Sequence, residues 1–151
     1  MLSDDIINKY RNDAEGLAKY FSDLYFSNKK IEFPINPFQI LTDYGIHFVF
    51  RNFNKIEGLY LPASNDSKID LVAINSNKII TRQRFTAAHE FCHFLKDSNQ
   101  KTCVCFENSD EFTEKYAEAF ASALLMPFGE LKRQIDSRNR YNDSTFPLQK
   151  A

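Results

Sequence analysis

His89 and His93 stand four residues apart, and Glu90 directly follows the first of them. If this stretch is helical, residues at that spacing share a face, with Cβ atoms about 5–6 Å apart. Two imidazole nitrogens then point at one spot and can hold a single metal ion. Glu90 lies on the flank of the same face, within reach of a water on that ion without being a ligand. A zinc ion would bring the pKa of such a water to about 7. Glu90 would take its proton during attack on a carbonyl and return it to the leaving amine. The bland alternative is a chance pair of surface or core histidines. Against it, two of only three histidines fall in the motif, inside a segment that reads as helix on other grounds.

A zinc ion with an open position for chemistry usually takes three protein ligands. The third histidine, His47, lies in an expected strand. Glu114 and Glu118 make a better source, because they are also four apart on an expected helix that is otherwise apolar: Phe112, Tyr116, Ala117, Phe120, Ala121, Leu124 and Leu125. Carboxylates beside such a surface are costly without a cation. Glu114 is therefore read as the third ligand. Glu118 is read as the group behind it that orients a ligand imidazole. The alternative is that both are solvated acids paired with Lys115 or other bases.

Two stretches together resemble a known family. Residues 82–93, Arg-Gln-Arg-Phe-Thr-Ala-Ala-His-Glu-Phe-Cys-His, are followed by residues 114–127, Glu-Lys-Tyr-Ala-Glu-Ala-Phe-Ala-Ser-Ala-Leu-Leu-Met-Pro. The pair is similar to the ImmA/IrrE metallopeptidases, with weaker similarity from Pro34-Ile35-Asn36-Pro37 through Gly58 and Ile74-Asn75. The resemblance implies a zincin-like fold, zinc as cofactor on His89, His93 and Glu114, and Glu90 as catalytic acid and base. It also implies a helix-turn-helix repressor as protein partner or substrate, in a phage, mobile-element or stress circuit. Cys92 replaces a small residue of the family pattern, and Glu118 stands where Asn or Asp is frequent. The chain ends soon after Pro127, where family domains often continue, so a shortened cleft or a fragment is expected.

Other residues leave choices open. Tyr60, His47, Arg82, Arg84 and Tyr116 are all candidates for stabilising an oxyanion. Cys92, Cys103 and Cys105 are odd in number and read as free thiols. Three functional readings compete: an active zinc endopeptidase, a non-proteolytic regulator on the same scaffold, and a purely structural zinc. The intact Glu90 favours the first.

These residues need elements to position them. Residues 3–26 carry an apolar stripe at helical spacing, with Ser3 as cap and Asp4 and Asp5 in the first turn. Two prolines in Phe33-Pro34-Ile35-Asn36-Pro37 end any helix, and Pro37 can open a short one to Asp43. Ile46–Phe50, Ile56–Leu61 and Ile69–Ile74 read as strands, joined by turn-prone links as an antiparallel meander. Helices follow at about 81–96 and 109–126, then a further helical stretch at 128–138. Lys96 to Glu107 reads as a polar link. The expectation is an α+β domain over 1–138: a three-stranded antiparallel sheet, an N-terminal helix and two metal-bearing helices. Residues 139–151 read as a polar tail.

Bulk properties agree with a single soluble domain. The 151 residues are 43% hydrophobic and 26% charged, with a net charge of −1. No basic run suggests direct nucleic-acid binding. No apolar run suggests a membrane span, and the acidic start is no secretory signal. A cytoplasmic protein is expected.

Overall fold

The computed structural model describes residues 2–97, 103–106 and 111–126, together with Lys132, Ile135, Asp136 and Arg138. The expected helix at 128–138, apart from helical backbone at those four positions, and the polar tail lie outside the described residues.

The chain is α+β, as expected. Its N-terminal stripe forms two helices instead of one, α1 (Asp4–Lys9) and α2 (Ala14–Tyr25). Ser3 caps the first by accepting from the Ile6 amide. Asp13 starts the second by accepting from the Gly16 amide at 2.9 Å. Asp is a weak helix former and a strong cap, so the side chain wins the local competition and splits the helix. α3 (Pro37–Asp43) begins as its sequence predicts. The Asn36 side chain accepts from the Phe38 and Gln39 amides, and Pro37 occupies the first turn, where no donor is needed. Gly45, at φ +72°, then turns the chain into the sheet.

The sheet departs from the expected meander. Among the described residues it has four strands in the order β1 (His47–Arg51), β3 (Leu71–Asn75), β2 (Ile56–Leu61), β4 (Cys103–Phe106). β1 runs parallel to β3, and β2 runs antiparallel to both β3 and β4. The expectation of three antiparallel strands in chain order is therefore corrected. β3 takes the place between β1 and β2 because Leu71-Val72-Ala73-Ile74 is a continuous apolar run, the pattern of a strand covered on both faces. Val72, Ala73, Ile74 and Asn75 are all buried, whereas His47 and Arg51 on the β1 edge are exposed. The link from Arg51 to Ile56 must then cross the end of β3, about 10 Å for two strand spacings, and its few residues suffice. Asn75 fixes that crossing. Its buried amide donates to the Phe53 and Ile56 carbonyls and accepts from the Asn77 amide at 2.9 Å. β4 arises from the Cys103–Phe106 segment that reads as a link in the sequence.

α4 (Ile80–Asp97) lies against β2 and β3 on one side and against α3 and α5 (Phe112–Leu125) on others, and α2 packs on α5. Residues 86–95 are buried without a break, so α4 is enclosed all round. Phe91 is its aromatic anchor. Its ring lies 4.9 Å from Phe21, 5.2 Å from Tyr44, 5.8 Å from Phe94 and 6.4 Å from Phe120. These contacts tie α2, α3 and α5 to the helix that carries both histidines.

α4 approaches the sheet closely at Gly58. A Cβ there would stand 2.5 Å from Thr86 Cγ2, 3.3 Å from the Ala73 carbonyl oxygen and 3.2 Å from Glu90 Oε1. Gly58 thus sets the distance between β2 and the motif helix. Gly58→Ala is expected to cost about 1–3 kcal/mol, as overpacking does. Urea unfolding checks this, and a variant with the wild-type midpoint would show that the close approach is not a constraint.

Candidate metal centre

The two motif helices meet where their sequences predict. His89 and His93 are one turn apart on α4, on the side met by α5. Glu114 sits in the first turn of α5, where the helix dipole favours a carboxylate. The three side chains converge and are buried, at 6%, 2% and 7% exposed respectively. His89 Nε2 lies 3.0 Å from Glu114 Oε2 and 3.3 Å from His93 Nε2. His93 Nε2 lies 3.0 Å from Glu114 Oε1.

That geometry fits one metal ion. Zinc bonds of about 2.0–2.1 Å in a tetrahedron set adjacent ligand atoms roughly 3.3 Å apart, close to the separations seen here. Two imidazoles and a carboxylate are also an ordinary donor set for a transition metal. The carboxylate must be ionised to serve. Burial pushes the Glu114 carboxyl up, but the hydrogen bonds and charges of His89 and His93 outweigh burial and hold it well below the usual carboxylate range. Among the described residues this is the one group of three or more His, Cys, Asp or Glu side chains close enough to share an ion.

Glu90 is fully buried, at 0% exposed, beside His89 and against the Gly58 stretch of β2. Only an offset charge or strong hydrogen bonds make such a position tolerable for an ionised carboxylate. His89 and Glu114 open onto a cleft also lined by Glu57, Arg82, Phe85 and Glu118. Glu118 reaches this cleft, partly buried, and makes no hydrogen bond to either imidazole among the described residues.

The remaining sequence candidates separate cleanly. His47 is exposed on the far edge strand. Tyr60 is buried and donates to Asp70 Oδ1 at 2.8 Å. Tyr116 donates to the Tyr10 carbonyl at 2.6 Å, tying α5 to the end of α1. Cys92 packs in the hydrophobic core. Arg84 does not line the cleft, and of the five oxyanion candidates only Arg82 does. The side chains of Cys103 and Cys105 lie outside the described residues. Sequence reasoning missed Glu57 and gave Gly58 no structural role. An isolated glycine in a strand pattern signals a bulge or a close approach, so Gly58 was findable. Glu57 carried no comparable signal.

Comparison with known proteins adds the family. A family model for the IrrE N-terminal-like domain, a peptidase family, matches residues 41–149. The match starts inside α3 and takes in every strand, α4 and α5. No curated protein matches the chain.

The purified chain is expected to carry about one divalent metal ion, measured by elemental analysis. His93→Ala and Glu114→Ala should each lower the content at least tenfold, and a chelator should lower the wild-type thermal midpoint by several degrees through lost ligand linkage. Wild-type protein holding less than about a tenth of an ion, after metal supplementation, would refute the centre.

Proposed function

The chain belongs to the IrrE N-terminal-like peptidase family, and from that premise we propose that it is a zinc-dependent endopeptidase. The observation that carries the reading is the fully buried Glu90 beside three converging ligands. A site that only bound zinc, or only stabilised the fold, would have no use for a general base at that position. A structural zinc site would also close its fourth position, often with cysteine. Here the group stops at three among the described residues, and Cys92 faces the core instead.

In this reading His89, His93 and Glu114 hold zinc. Zinc bound there would supply Lewis acidity to the scissile carbonyl and acidify a water molecule. The protein's own groups do the rest. Glu90 accepts the proton of the attacking water and later delivers it to the leaving amine nitrogen. Its burial keeps bulk water from competing for that proton. Phe91, the next residue, is packed among aromatic rings on three other elements, so the helix cannot turn Glu90 away. Glu118, one turn beyond Glu114, lines the cleft without a hydrogen bond to either imidazole among the described residues.

The substrate proposed is a protein, specifically a helix-turn-helix repressor in a phage, mobile-element or stress-response circuit, acted on in the cytoplasm. The family resemblance supports this, as does a net charge of −1 without a basic run. No described helix is long and apolar enough to cross a membrane. The alternative is a regulator that binds the repressor without cutting it, and one experiment separates the two. The chain is co-expressed with the repressor encoded beside it, as wild type and as Glu90→Gln. The variant should keep its metal and lose repressor cleavage by at least about a hundredfold, the scale of a general base. Equal loss of repressor with both forms would rule out proteolysis.

A further inference from the structure

The cleft beside the ligands carries an arginine that the proposed chemistry does not use. Arg82 Nε donates to Glu57 Oε2 at 3.2 Å, and its guanidinium carbon sits 4.7 Å over the Phe85 ring. Lys78 Nζ approaches the same carboxylate at 3.9 Å. Two cations therefore share one carboxylate. The Glu57 side chain is 12% exposed, whereas that of Arg82 is 40% exposed and faces the cleft. A guanidinium has five donors. Among the described residues, Nε alone makes a hydrogen bond.

The sheet is irregular beside this pair. On β2, Ile56 pairs with Phe106 and Gly58 with Cys105, so two steps on β2 match one on β4 and Glu57 is the inserted residue. A bulge of this kind re-aims a side chain. It brings Glu57 to the first turn of α4, where Arg82 stands. The Arg82 end of the pair is the exposed one, so the largely buried Glu57 holds the guanidinium in place while its outer nitrogens stay open to the cleft.

Its distance from the ligands decides what Arg82 can touch. It stands seven positions before His89, about 10 Å along the helix axis. A peptide extended along the cleft advances about 3.3 Å per residue, so a long guanidinium side chain meets it roughly one to three residues from the broken bond. A forked, charged donor at that place suits a carboxylate.

We propose that Arg82, positioned by Glu57, is a subsite that selects an acidic side chain of the peptide substrate near the scissile bond. The inference rests on the peptidase reading above. Phe85 stacks under the guanidinium and limits its motion. Glu118, on the same cleft lining, adds a negative charge that disfavours an acid placed beside it.

The test uses the zinc-loaded full chain on a peptide library made from a digested proteome, with cleavage sites read by mass spectrometry and Glu90→Gln as the blank. Wild type should show Asp and Glu enriched at one position beside the cut. Arg82→Ala should abolish that enrichment, and Arg82→Glu should replace it with Lys and Arg, both in folded protein that retains its metal content. Glu57→Gln should weaken it. Calorimetric titration supplies a second readout. A recovered substrate peptide should bind the non-cleaving Glu90→Gln chain at least about tenfold more tightly than its Asn or Gln counterpart. Adding Arg82→Ala should erase the difference. Cleavage without an acidic preference, or a preference that survives Arg82→Ala, would overturn the subsite alone. No cleavage above the Glu90→Gln blank would overturn the peptidase reading and the subsite with it.

Discussion

The seam between α4 and α5 buries Glu114 together with His89 and His93, and Glu90 is buried beside them against β2. Carboxylates removed from water are unfavourable by several kcal/mol unless opposite charge or hydrogen bonds replace the lost hydration. The rest of the architecture can be understood as meeting that constraint. Glu114 has both imidazoles at hydrogen-bond distance and a helix N-terminus behind it. A cation shared by the three groups would answer the remaining demand. It also explains why the two helices must cross here: neither one alone supplies the donor set.

Precision at the seam comes from apolar packing. Phe91 touches aromatic rings on α2, α3 and α5, and so fixes the rotation of α4 about its own axis. Gly58 removes a side chain where α4 would otherwise be pushed off the sheet, which sets how deeply Glu90 is buried. Asn75 holds the crossing that lets β3 lie between β1 and β2, and thereby puts β2 under the helix. A glycine, an amide and a phenyl ring, none of them reactive, position the reactive groups.

The cleft is asymmetric. Its deep part is the ligand group, already balanced by its own partners. Its α4 end carries a cationic pair around Glu57, and its α5 wall carries Glu118. In the proposed subsite, a peptide crossing it would meet opposite charges in order, a basis for holding one register against others. The β2 bulge links this asymmetry to the sheet, because the same irregularity that ends the regular pairing delivers Glu57.

Much of this was legible in the residues. The spacing of His89, Glu90 and His93 determined a shared helical face, because helix periodicity is local. Glu114 stood out because a carboxylate on an apolar helix demands a cation. Ser3 and Pro37 announced their helix starts through backbone groups within a few residues. Strand order was different. Turn-prone links told the chain to reverse, but not that β3 would insert between β1 and β2, since pairing is settled by which strand is most fully covered. The break at Asp13 was a close contest between cap and helix, and the strand at Cys103–Phe106 formed only because β2 offered an edge. Glu57 and Arg82 lie 25 residues apart, and nothing in either segment points to the other. Local spacing thus determined which groups could bind a metal and supply a base, whereas long-range packing decided what surrounds them, because those contacts join segments with no common local pattern.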